Sequence, residues 1–255
     1  MLKKIILKLI NIFGYDIVRI KKKPKKAKKK QDNPFIILLD FYFFKTASES
    51  CFFVQVGAND GKTNDPLYRI IKEHKPSGLL IEPIHAVFEK LQLNYRDHDN
   101  LHFANVALAK NSGYKTIYTI KESFQQEYAD YTGFNATGLA SFDKDHLTKH
   151  LLKNMSEYFA DKQAIDYLEE ITVETLDFNS LVKRYKLSRV DVLQVDCEGY
   201  DYEVIKMFDF EKFDPVIINY EHKHLTEEDR AACEMLLKEK GYKLFSHAED
   251  TCAYK

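Results

Sequence analysis

A glycine-bounded turn, Gly57-Ala58-Asn59-Asp60-Gly61, follows the apolar run Phe52–Val56 and leads into a stretch of helical periodicity. Glycines at both ends let the backbone bend sharply and come close to a ligand that a side chain would displace. Glu82 closes the next apolar run, about 20 residues on, the offset at which a carboxylate accepts hydrogen bonds from ribose hydroxyls. Turn and acid together describe a nucleoside site. A turn that cradles a pyrophosphate needs a further glycine, whereas Asn59 and Asp60 fill the middle of this one. An acid there repels phosphate and tolerates a cation, as in the sulfonium and ammonium of S-adenosylmethionine.

Further along, Asp196 and Glu198 follow the apolar run 190–195, and Gly199 lets the chain turn away; Glu221 and His222 follow the run 215–220. If these runs are parallel strands of one sheet, all four side chains stand at the edge that carries the glycine turn. Carboxylates there can bind an ammonium, orient an acceptor hydroxyl or hold a divalent ion. His222, with an ordinary imidazole pKa of about 6.5, can take a proton at neutral pH, and His224 competes for that role. No spacing in the set is diagnostic of a metal, so none is expected. Each feature also has a structural reading: a tight turn, a helix cap at Asp196, a surface histidine.

The elements that must position these residues are legible from residue 35 onward, where short apolar runs alternate with amphipathic stretches. That is the signature of strand-helix-strand units in a doubly wound α/β fold. Strands are expected over 52–56, 78–81, 101–106, 171–175, 190–195, 215–220, 242–245 and 251–254. Helices are expected over 35–47, 66–74, 86–95, 178–185, 202–207 and 226–240. A more polar stretch, 110–170, interrupts the rhythm, with a strand over 115–120 and helical stretches around 149–169; such insertions often carry acceptor specificity.

The 255 residues suffice for one sizeable core, read as a catalytic domain over 35–255 preceded by a separate segment, 1–34. The formal net charge of −1 hides a polarised chain, because twelve of the 38 Lys and Arg fall within residues 1–30. Residues 1–20 read as a basic amphipathic helix, lysine-interrupted and too short to span a bilayer, suited to lying on an anionic membrane. The lysine run 21–30 reads as a solvated linker, and nucleic-acid contact is not expected because no aromatics are interleaved. The four cysteines lack metal-site spacing and are read as reduced thiols of a cytoplasmic protein that can sit peripherally on a membrane.

Four separated motifs, Val54-Gln-Val-Gly-Ala-Asn-Asp-Gly61, Ile81-Glu-Pro83, Thr175-Leu-Asp177 and Val195-Asp-Cys-Glu-Gly199, resemble those of the FkbM-type methyltransferases and occur in that family's order. The resemblance implies a class I, Rossmann-like fold with a mostly parallel seven-stranded sheet. It implies S-adenosylmethionine as cofactor and O-methylation of a sugar, polysaccharide or natural-product hydroxyl, with nitrogen acceptors as a further class. By resemblance Gly57, Asn59, Asp60 and Gly61 line the methionine and ribose portion, Glu82 holds the ribose, and Asn105 and Ala107 lie near the adenine. From their place at the strand ends, and not from the resemblance, Asp196 is expected to serve cofactor and acceptor, and Glu198, Glu221 and His222 to face the acceptor. Ser141 resembles the family's serine-containing stretch. Gln194 departs from the pattern, which usually has lysine there. The alternatives are an NAD-dependent oxidoreductase on a similar sheet, or a non-catalytic membrane-associated binding protein whose basic segment is the functional part.

Overall fold

In the computed structural model, residues 33–46 and 51–255 are described. The expectations for residues 1–30 and the end of the first helix at Ala47 lie outside them. The runs Phe52–Val56 (β1), Ser77–Ile81 (β2) and Val192–Val195 (β8) are almost wholly buried, as central strands covered on both faces must be. With Leu101–Ala104 (β3), Ile217–Glu221 (β9), Lys243–His247 (β10) and Asp250–Tyr254 (β11) they form one seven-stranded sheet. Its order is β10-β11-β9-β8-β1-β2-β3, parallel except for β11, which runs antiparallel to both neighbours.

Helices cover both faces. On one, Pro34–Lys45 (α1), Tyr68–His74 (α2) and His85–Asn94 (α3) bury Leu38, Leu39, Ile70, Ile71, Phe88 and Leu91. On the other, Phe178–Tyr185 (α6), Asp201–Met207 (α7) and Glu227–Glu239 (α8) bury Leu181, Val182, Val204, Ile205, Cys233 and Leu237. The doubly wound expectation holds. Local chemistry sets the helix starts: Asn33 accepts from the Phe35 amide ahead of Pro34, and Thr226 accepts from the Asp229 amide.

The inserted region departs from expectation. The run expected as one strand over 101–106 ends at Ala104, and Ala107–Leu108 (β4) joins a second, four-stranded sheet. That sheet has the order β4-β7-β5-β6, with Gly113–Ile120 (β5), Ala140–Ser141 (β6) and Leu168–Leu176 (β7). The run at 171–175 thus belongs to β7, whose antiparallel partner is β5, rather than to the main sheet. Glu122–Thr132 (α4) is a helix the sequence reading missed. The expected helical stretch at 149–169 resolves into Lys144–Asn154 (α5), a 3-10 turn at Ala164–Tyr167, and the start of β7. Phe124, Tyr128, Leu147, Leu151, Met155 and Phe159 give this region its own core, which is why it can stand as a lobe beside the main sheet.

Among the described residues no helix is long and apolar enough to cross a membrane. All four cysteines are free thiols.

Candidate active site

The strand order reverses at β1, since the chain proceeds outward to β2 and β3 and then returns to β8 on β1's other side. Loops that diverge at such a point leave a crevice at the carboxyl ends of the strands. Here the two loops touch: the Asp196 amide donates to the Val56 carbonyl at 2.9 Å, and a Cβ on Gly57 would lie 1.8 Å from the Asp196 carbonyl oxygen. Gly57 also has φ +77°, so side-chain bulk and backbone conformation both demand glycine there.

Two cavities open along this edge. The first, about 550 Å³ and open to solvent, is walled by Ile81, Val106, Ala107, Leu108, Ile117 and Phe142, an apolar slot suited to a flat base, with Ser141 and Cys197 also on its wall. The second, about 1480 Å³ and also open, is polar, with Gln55, Asn59, Gln194, Glu221, Lys223 and His224 among its walls. Gly57, Glu82, Gly138, Asp196 and Glu198 belong to both.

Glu82 is buried at their junction. One carboxylate oxygen accepts from the Asn59 amide at 2.9 Å and the other from the Ile84 amide at 2.8 Å. Burial pushes its pKa up to about 7 against these hydrogen bonds, with Asp196 and Asp60 adding repulsion. Asn59, at φ +47°, has a buried side-chain oxygen with no hydrogen-bond partner. A Cβ on Gly138 would lie 2.6 Å from the Asn59 side-chain nitrogen, so the inserted lobe closes directly over the turn.

Acids dominate the polar cavity. Asp196 faces its open space, and its pKa is raised by the surrounding protein, then by Asp250, Asp65 and Glu249. Glu198 is pushed up to about 8 by burial, then by Asp196 and Asp201, and Asp65 to about 6 by burial. Glu221 is raised by burial and by Asp196 and Glu198. The cavity's Lys223 pairs with Glu249 at 2.7 Å. His224 stands 3.5 Å from a Glu198 oxygen and 3.8 Å from a Glu221 oxygen. Burial, then His146 and Lys223, push His224 down to about 4.

The structure therefore brings together Gly57, Asn59, Glu82, Ala107, Asp196, Glu198 and Glu221. Four expected residues stand elsewhere. Asp60 folds back on its own turn, accepting from the Lys62 and Thr63 amides and the Thr63 hydroxyl. Gly61 faces α3: a Cβ there would lie 2.4 Å from Tyr95 and 2.5 Å from Leu91, and Tyr95 donates to its carbonyl. Asn105 donates to the carbonyls of Glu82 and Pro83 and so braces the turn behind Glu82. His222 points away to the Thr251 hydroxyl, 2.9 Å distant, and it is His224 that reaches the cavity. Spacing did not reveal His146 and His150, which lie on one face of α5 and pack against His224 with ring centroids 5.0 and 6.0 Å away. Their i, i+4 separation was the available signal, but His146 precedes the helical stretch expected at 149–169.

The family model of the methyltransferase FkbM domain matches residues 55–244. Among solved structures, similarity extends to the precorrin-6y C5,15-methyltransferase of Geobacter metallireducens GS-15, at 9% identity over 91% of this chain and 93% of that one, TM-score 0.43. The METTL16 methyltransferase domain matches at 10% identity over 86% of this chain and 66% of that one, TM-score 0.45. An RNA methyltransferase from Salinibacter ruber in complex with S-adenosyl-L-homocysteine matches at 9% identity over 88% and 91%, TM-score 0.37. No curated protein matches the chain in sequence.

Proposed function

Because the chain belongs to the FkbM family of methyltransferases, we propose that it transfers the methyl group of S-adenosylmethionine to a hydroxyl oxygen of a sugar, polysaccharide or natural-product acceptor. Membership makes it an S-adenosylmethionine-dependent methyltransferase, with the class I seven-stranded sheet, and sets the oxidoreductase reading aside. The observation that carries the hydroxyl reading is the shared wall. An apolar slot and a polar, acid-lined cavity meet at Gly57, Glu82, Gly138, Asp196 and Glu198, so a donor in one and an acceptor in the other come together there.

The residues fit the cofactor. Both Glu82 oxygens are held by backbone amides with lone pairs to spare for ribose hydroxyls, and the unpartnered Asn59 oxygen can accept from an ammonium. Asp196 at the junction offers a counter-charge to a cationic ligand. The bound cofactor supplies a methyl carbon on positively charged sulfur, so the protein needs to position and deprotonate rather than form a covalent intermediate. Glu198, Glu221 and His224 can orient an acceptor hydroxyl and receive its proton. The amides of Gln55 and Gln194 can hold neighbouring hydroxyls, and Phe134, 65% exposed on the inserted lobe at the cavity's rim, offers a ring face for stacking on a sugar.

Methyl-labelled S-adenosylmethionine with a panel of monosaccharides, glycans, polyketide-type alcohols and amines tests this reading. Formation of S-adenosylhomocysteine with a base-stable methyl ether is expected. Transfer to amines alone overturns the hydroxyl assignment.

A further inference from the structure

We infer that His146, Glu198 and His224 form a binding site for one borderline divalent metal ion of the zinc class at the edge of the polar cavity, where Glu198 and His224 stand on its wall. The inference rests on the acceptor reading above and adds the group that activates the hydroxyl.

Geometry comes first. These three side chains each place a ligand atom within 4.8 Å of the other two. The His224 nitrogen and the Glu198 oxygen are 3.5 Å apart, close to the roughly 3.4 Å between two ligands that each sit ~2.1 Å from a tetrahedral ion. The residues come from three separate parts of the fold: α5 of the inserted lobe, the loop after β8 and the segment after β9.

Polar atoms without partners come second. The His146 Nε2 is buried and makes no hydrogen bond, and the buried Glu198 Oε2 and Glu221 Oε2 make none either, having only the His224 nitrogen nearby at 3.5 and 3.8 Å. A buried polar atom without a hydrogen bond costs about 1–3 kcal/mol, and a shared ion would satisfy His146 and Glu198 together. Glu198 is moreover held at φ +47°, an uncommon conformation for a residue with a long side chain, with Gly199 following at φ +95°. An ion at the centre takes the lone pairs of His146 and Glu198 directly.

The donor set selects the ion. Two imidazoles and one carboxylate suit zinc and its first-row neighbours, whereas magnesium and calcium prefer oxygen alone. Glu198 and His224 also line the cavity, so an ion held by the three residues would have room for an acceptor oxygen, as catalytic rather than structural sites require. A hydroxyl bound there loses its proton more readily. In the resulting step the acceptor hydroxyl would give up its proton to solvent through the open cavity, and the C–S bond of the cofactor would break as the C–O bond forms, leaving a methyl ether, S-adenosylhomocysteine and a released proton.

The test uses the full chain after chelation, titrated with Zn²⁺ alone by calorimetry, with Co²⁺ as an absorbing probe. One equivalent is expected to bind, with d–d bands of a nitrogen-containing four-coordinate site and a raised thermal midpoint. His146→Ala and His224→Ala should each weaken Zn²⁺ binding at least tenfold, and His222→Ala should leave it unchanged. S-adenosylhomocysteine affinity, measured on the same variants, should stay within about twofold, which separates loss of the metal from loss of the fold or the cofactor site. If Zn²⁺ fails to bind stoichiometrically, or binds equally well to both histidine variants, the site is overturned even where S-adenosylhomocysteine still binds. If Zn²⁺ binds as expected and S-adenosylhomocysteine does not, the metal site stands and the methyltransferase reading fails.

Discussion

Glu82 accepts two loop amides and still has lone pairs toward the junction of the cavities, so cofactor affinity should report its ionisation. Ribose hydroxyls donate to the ionised carboxylate, while burial holds the free group's pKa up at about 7. Binding then favours loss of the proton. Calorimetric affinity for S-adenosylhomocysteine should rise as pH increases from about 6 to about 8 and flatten above; Glu82→Ala should bind at least tenfold more weakly, with that pH dependence gone. An unchanged affinity would remove Glu82 from the site. In the ligand-free chain the sign for stability is opposite: Glu82's contribution is full below its ordinary pKa and is lost as pH rises through about 7. At this scale the sequence was informative wherever strand ends decide the outcome, as for Gly57, Glu82, Asp196, Glu198 and Glu221. It misled where side-chain direction decides. Asp60 and Gly61 belong to the right turn but face its inside and α3, and His222 yields to His224 because of how the chain leaves β9.

Asp177 shows how a motif residue can serve an element rather than the chemistry. It caps α6, accepting from the Ser180 amide at 2.9 Å, and also binds the hydroxyls of Ser112 and Ser180. The Ser112 hydrogen bond, then those from Ser180, pull its carboxyl down to about 2. Asp177→Ala should destabilise the chain by about 1–2 kcal/mol in urea unfolding, with S-adenosylhomocysteine affinity unchanged. The depressed pKa makes this contribution present above Asp177's ordinary value and lost as pH falls through about 2, so the gap between variant and parent should close in acid. A deficit that persists at the lowest pH would assign the loss to packing instead. Helices with such caps, and strands buried on both faces, were readable from local pattern. In the region between β4 and β7 the strand expected at 115–120 is found within β5, but its sheet was not readable, because it depends on β5 pairing with β7 across the α4 and α5 segments, a non-local choice that periodicity does not encode. That same pairing carries α5 to the cavity, with His150 on its wall and His146 set beside Glu198 and His224.

Charge is the property of the whole chain that the sheet leaves unexplained. Twelve of the 38 basic residues lie within 1–30, outside the described structure and before the matched family domain at 55–244, so the rest of the chain is acidic overall. The carboxylates that line the polar cavity belong to that acidic remainder, and an acidic catalytic body is repelled by anionic lipid. A basic segment at one end reverses this locally, since each lysine near an anionic surface is worth about 1 kcal/mol, screened within about 10 Å at 0.1 M salt. We propose that this segment brings the enzyme to acceptors presented at a membrane. The full chain should sediment with phosphatidylserine-containing vesicles and not with neutral ones, and the bound fraction should fall steeply as salt rises. Replacing the lysines of 21–30 with glutamine should release it while leaving S-adenosylhomocysteine affinity unchanged. Sedimentation that survives both the lysine replacements and high salt would mean that an apolar contact holds the protein, and equal binding to neutral vesicles would remove the electrostatic role altogether.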